Sequence, residues 1–250
     1  MNRTFLNFGR GLVLAGAVLA CGLAQAQDQQ QRMRTALAAA ARPDADKARD
    51  ATRHPVEVIQ FLGIKDGMTV LDVIAAGGWY TEVLSAAVGP SGKVLSQNPE
   101  FFLQRGGDDF IKNENARAAR LGNVEPKHGE IPGMGINGQV DAAITALNLH
   151  DVYNRGGLEA GTAFAKGVFD ALKPGGVFGV IDHAGSAGQN NAEMHRMRLS
   201  EAVAALEEAG FRIEAVGDIL QNPADDHTKG IRDPSLNRNS DRFVIRARKP

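Results

Sequence analysis

The chain has 250 residues, 43% hydrophobic and 23% charged, enough for one substantial domain with little left for a second. Its 28 Lys and Arg nearly balance 29 Asp and Glu, so the formal net charge of −1 gives no electrostatic footprint for nucleic acid or an anionic membrane. The composition leaves the oligomeric state open.

Arg3 and Arg10 precede an uncharged apolar run from Gly11 to Leu23, and Ala24-Gln25-Ala26 offers small residues at the two positions a signal peptidase reads. Residues 1–26 therefore predict a signal peptide and a periplasmic protein. The run is shorter than the ~20 apolar residues of a membrane anchor, so no stable membrane insertion is expected. Val18-Leu19-Ala20-Cys21 loosely resembles a lipoprotein box, which makes lipid attachment at Cys21 the alternative to cleavage after Ala26. Cys21 is the only cysteine, and cleavage would remove it. Disulfides, thiol nucleophiles and Cys-ligated metals would then be excluded.

Residues 27–62 predict an N-terminal helical extension, with one helix over 29–41 and a second over 44–61 capped by Asp44. From 63 to 250 short apolar runs alternate with helical ones. Strands are expected at 69–74, 92–96, 124–128, 139–147, 177–181, 211–219 and 242–247. Helices are expected at 80–88, 101–121, 157–172 and 192–209. Alternation of this kind implies right-handed crossovers and a mainly parallel sheet. Ligands of such sheets bind beyond the carboxyl ends of the strands, where strand order reverses.

The first strand ends in the segment Val70-Leu71-Asp72-Val73-Ile74-Ala75-Ala76-Gly77-Gly78-Trp79-Tyr80-Thr81, an acid followed by small residues that open a helix. This segment resembles the first motif of class I S-adenosylmethionine-dependent methyltransferases, and Lys173-Pro174-Gly175-Gly176 resembles their turn before the fifth strand. His150-Asp151, Asp182-His183, His195-Arg196, Asp226-His227-Thr228-Lys229 and Asp241-Arg242-Phe243 add a similarity to a bacterial family of exported methyltransferase-like proteins. The resemblance implies a Rossmann-like, doubly wound, mainly parallel seven-stranded α/β sheet, with helices on both faces and an antiparallel last strand. It also implies S-adenosylmethionine as cofactor, held by Asp72, Ala76, Gly77, Gly78, Asn98 and Glu130.

Two departures from the superfamily pattern matter. Ile74 and Ala76 stand where it has glycine, and only Gly78 matches. A left-handed Ile74 would cost roughly 1–2 kcal/mol, so another path for this loop is expected. Asn98 stands where an acid usually holds the ribose hydroxyls, which predicts weaker nucleoside binding.

His150-Asp151 follows the fourth strand and Asp182-His183 the fifth, so both pairs converge on the crevice. A histidine held by a carboxylate makes a general base, and these four residues are the catalytic candidates. His195 is expected on the helix beyond. His150, His183, His195 and Asp182 could also supply metal ligands, but no HxH or HExxH spacing supports this and no metal is expected. Arg42, Asp46, Arg49, Asp50 and Arg53 form a charged cluster read as a solvated face or as a lid with Arg49 or Arg53 meeting an anion. Trp79 and Tyr80 are expected to pack in the core. The leading reading is a methyltransferase of small molecules. The alternatives are an exported, non-methylating protein that binds a nucleoside-like or anionic ligand, and a metal-assisted hydrolase.

Overall fold

The computed structural model describes residues 25–250, so Cys21 and nearly all of the expected signal peptide lie outside the described residues. A helix over 25–37 (α1) is followed by three short ones, α2 (Asp44–Lys47), α3 (Asp50–Arg53) and α4 (Pro55–Leu62). The single helix expected over 44–61 is thus broken. Pro55 cannot continue a helix from its own N–H and turns His54 out of the helical region, to φ +41°.

The remaining elements alternate: β1 (Thr69–Val73), α5 (Trp79–Val88), β2 (Lys93–Asn98), α6 (Glu100–Leu121), β3 (Val124–His128), β4 (Val140–Ala146), α7 (Leu149–Ala171), β5 (Leu172–His183), α8 (Leu199–Glu208), β6 (Arg212–Gly217) and β7 (Arg242–Arg248). The seven strands lie in the order β3-β2-β1-β4-β5-β7-β6. Neighbours from β3 to β5 run parallel, and β7 is antiparallel to both β5 and β6. The expected fold class is the observed one.

Side chains alternate across the sheet, as period-2 geometry requires. Val70, Ala142, Ile144, Ile181 and Val244 pack with α1, α4 and α5 through Met33, Ile59, Leu62 and Leu84. Leu71, Ala143, Phe178, Val180 and Ile245 pack on the other face with α7 and α8, through Leu149, Val168 and Leu206. The N-terminal helices therefore share a core with the sheet. The helix expected over 192–209 begins only at Leu199, and 192–198 is a turn with His195 at φ +54°. Strand order reverses between β1 and β4, and their carboxyl ends open the crevice.

Candidate functional site

The loop after β1 keeps the left-handed path that glycines would make easy: φ is +54° at Ile74, +48° at Ala76 and +75° at Gly78. The expectation of another path is corrected, and hydrogen bonds hold the strained backbone. The Ile74 amide donates to Gln97 Oε1 (2.9 Å), the Ala75 amide to the Gln97 carbonyl (2.9 Å) and the Ala76 amide to Asn98 Oδ1 (2.8 Å). Asn98 is fully buried, and its Nδ2 donates to Glu114 Oε1 at 2.9 Å. Both of its amide atoms are engaged inside the protein, so Asn98 supports the loop from below and does not face the crevice.

Asp72 lies beneath the same loop and accepts from Thr81 Oγ1 at 2.6 Å. Burial raises its carboxyl from 3.8 to about 7, against the opposing pull of the Thr81 hydroxyl and the Arg117 charge. Gly78 caps α5 at φ +75°, a left-handed conformation that favours glycine, and the Arg117 guanidinium lies over it. A Cβ on Gly77 would meet nothing within 4 Å and would project into open space.

A cavity of about 890 Å³ runs along the strand ends past Ile74, Glu130 and Asn148 to Asp151 and His195. A smaller cleft of about 220 Å³ shares Ile74 and Asn148 with it, and Ala76, Gly77, Arg49 and Arg53 line its walls. Glu130 is exposed to the cavity and forms no ion pair among the described residues. Of the eight non-glycine residues at positive φ among the described residues, Ile74, Ala76, Leu147 and His195 line these two spaces. Backbone held in the left-handed region thus gathers around the crevice.

The histidines and carboxylates converge, in an order from interior to wall. Asp182 is fully buried, and it accepts His150 Nδ1 (2.6 Å), the His150 amide (2.8 Å) and the His183 amide (2.8 Å). His150 Nε2 lies 3.5 Å from Asp151 Oδ1, and His195 Nδ1 is 3.1 Å from that same oxygen. Asp151 and His195 line the cavity, with His150 behind them. Burial draws the His150 pKa down, but the Asp182 hydrogen bond and charge, helped by Asp151, outweigh it and the net direction is up. His183 pairs with Ser240 Oγ at 2.6 Å and packs edge-on against His150. Burial, the neighbouring His150 and nearby arginines push its pKa well below the usual range. His183 is thus an uncharged brace in the interior.

The charged cluster before β1 divides in the same way. Arg42 is buried on Asp50 and Glu82, while Arg49 and Arg53 reach the smaller cleft. Arg53 lies 4.7 Å from the Trp79 ring centroid, and burial lowers its pKa to about 10. Trp79 and Tyr80 are both buried, and Trp79 Nε1 donates to the Asp46 carbonyl at 3.0 Å. Asn148 escaped the sequence reading. Its Nδ2 donates to the Ala146 carbonyl (3.0 Å) and the Ile74 carbonyl (3.3 Å), tying the ends of β4 and β1 together. An asparagine directly after an apolar strand was its only sequence signal.

The chain matches no protein-family profile and no curated protein sequence. Solved structures do resemble it. A SAM-dependent methyltransferase from Aquifex aeolicus superimposes with a TM-score of 0.59 at 22% identity, covering 83% of this chain and 96% of that one. The fold is that of S-adenosylmethionine-dependent methyltransferases. The [4+2]-cyclase SpnF aligns with a TM-score of 0.58 at 17% identity, over 80% of this chain and 81% of its own. Aeropyrum pernix fibrillarin, solved with natively bound S-adenosyl-L-methionine, aligns with a TM-score of 0.50 at 17% identity, over 77% of this chain and 73% of its own. At these identities the likeness concerns the fold.

Proposed function

We propose that the chain binds S-adenosylmethionine in this crevice and transfers its methyl group to a small molecule. The observation that carries the reading is the cavity of about 890 Å³ at the strand-order switch, with Glu130 on its β3 side and Asp151 with His195 on its β4 side. That volume lies within the range of small-molecule sites. The residues fit the group. Glu130 would accept from the nucleoside, the backbone at Ala76 and Gly77 would hold the amino-acid end, and Arg49 or Arg53 would meet its carboxylate.

Bound S-adenosylmethionine supplies an activated methyl group on a positively charged sulfur. His195, held at Nδ1 by Asp151, is placed to accept a proton from a hydroxyl or amine in the cavity. Asp182 holds His150 in place behind this pair. The signal peptide proposed over 1–26 would put this chemistry in the periplasm, where the cofactor must come from the cytoplasm. Among the described residues no helix is long and apolar enough to cross a membrane.

Trp79 is the only tryptophan and lines the smaller cleft, so its fluorescence reports occupancy. Titration with S-adenosylhomocysteine is expected to change that signal in a saturable way, and Glu130→Ala to weaken the affinity roughly tenfold or more. No saturable change at millimolar ligand would sink the proposal.

A second reading keeps the crevice but not the reaction. Asn98 is withdrawn from it, Ile74 stands between its two parts, and a [4+2]-cyclase shares the fold. On this reading the chain binds a different nucleoside-like or anionic ligand. Mass spectrometry of ligand carried through purification separates the two, because recovered S-adenosylhomocysteine would count against the second.

A further inference from the structure

His150 and Asp151 open α7, and His195 enters from the turn before α8. One ligand atom from each lies within 4.8 Å of the other two. Asp182 accepts the His150 amide, the His183 amide and His150 Nδ1, and so fixes the ring with Nε2 turned toward Asp151. Nε2 lies 3.5 Å from Asp151 Oδ1 and makes no hydrogen bond among the described residues. His195 Nδ1 meets the same oxygen at 3.1 Å.

The spacing suits a shared cation. With ligand bonds of about 2.1 Å, two donor atoms sit about 3.0 Å apart at a right angle and about 3.4 Å apart at the tetrahedral angle. Two of the three edges, at 3.1 and 3.5 Å, match these values to about 0.1 Å, and the third lies within 4.8 Å. We propose that His150, Asp151 and His195 bind one first-row divalent cation, such as Zn²⁺, at the wall of the crevice, with Asp182 orienting His150 from behind.

Two nitrogens and one oxygen select a borderline cation over Mg²⁺, which prefers oxygen ligands. A carboxylate on the far nitrogen of a ligating histidine is a usual outer partner of such sites. Three protein ligands leave coordination positions open, and Asp151 and His195 line the cavity. An acceptor hydroxyl bound there would lose its proton to solvent as the metal–oxygen bond forms. The cation would then replace His195 as the group that activates the acceptor. That role rests on the methyl-transfer reading, whereas the binding itself does not.

The test uses the full, tag-free chain stripped with a chelator and titrated by calorimetry with Zn²⁺, Co²⁺ and Mg²⁺, with visible absorption followed for Co²⁺. One equivalent of Zn²⁺ or Co²⁺ is expected to bind, with nitrogen-ligand bands for Co²⁺ and no response to Mg²⁺. The Asp151 and His195 side chains are 41% and 35% exposed, so Asp151→Ala and His195→Ala should fold normally, as a thermal melt will show. Each is expected to weaken binding at least tenfold, and Asp182→Asn to weaken it roughly 10- to 100-fold. Absence of stoichiometric binding would overturn the site. So would unchanged binding in both folded alanine variants. A titration with S-adenosylhomocysteine in excess chelator is scored separately. Nucleoside binding without metal binding removes only the cation, and metal binding without nucleoside binding removes only the methyl-transfer reading.

Discussion

Asp72 and Ala76 show how one loop trades stability for shape. The folded Asp72 carboxyl titrates near 7, against 3.8 when free. Below pH 3.8 it is protonated in both folded and unfolded chains and costs nothing. As the pH rises, the unfolded side chain ionises while the folded one resists, so stability falls between about pH 4 and 7 and then levels off, by roughly 4 kcal/mol in all. Asp72→Asn should remove that slope. The stability difference between variant and parent, from urea unfolding, is expected to grow from pH 4 to 7, and parallel curves would refute the burial argument. Ala76 at φ +48° is strained where glycine is not. Ala76→Gly is expected to raise unfolding free energy by about 1 kcal/mol, the relief of the left-handed conformation less the added freedom of the unfolded chain. A lower midpoint in the same assay would contradict this. The acid and Gly78 were legible because a motif fixes their places. The burial of Asn98 was not, because its partners, Glu114 and the Ala76 amide, lie 16 and 22 residues away.

Elements built on local signals were legible, and those held by distant charges were not. Apolar runs marked the inner strands β1, β4 and β5, which are buried on both faces, whereas the edge strands β3 and β6 are only partly buried. Periodicity wrongly carried a helix through 192–198. This turn is fastened by Arg196, whose Nε donates to the Lys229 carbonyl, Nη1 to the Ala184 carbonyl and Nη2 to both Asp225 oxygens, all at 2.9 Å. Both side chains of that ion pair are wholly buried, and the residue before Arg196 is His195. Asp225→Ala leaves a buried guanidinium unpaired and is expected to cost roughly 3–5 kcal/mol. Arg198→Ala breaks an exposed pair two residues away and should cost at most about 1 kcal/mol. Equal losses in urea unfolding would show that the clamp does not bear on stability. Neither half of the clamp can be read locally, because 29 residues separate Arg196 from Asp225.

For the whole molecule, fold and activity rest on different grounds. The mainly parallel sheet follows from the alternation of elements, the antiparallel β7 is what the resemblance implied, and the fold agrees with a methyltransferase of known structure. The reaction depends on what the crevice holds, and a [4+2]-cyclase on the same fold shows that architecture alone does not choose it. The crevice itself was legible as a place, the carboxyl ends of β1 and β4. Its wall was legible in part: Glu130 and Asp151, both named from the sequence, line it with His195, while His150 and His183 stand behind. The most direct test is calorimetric titration of S-adenosylhomocysteine into the parent chain and Gly77→Val. A Cβ there meets no protein atom, so the variant should fold as the parent does. The account predicts saturable one-to-one binding to the parent and loss of that binding in the variant. No heat from the parent at millimolar ligand, or equal binding by both, would contradict it.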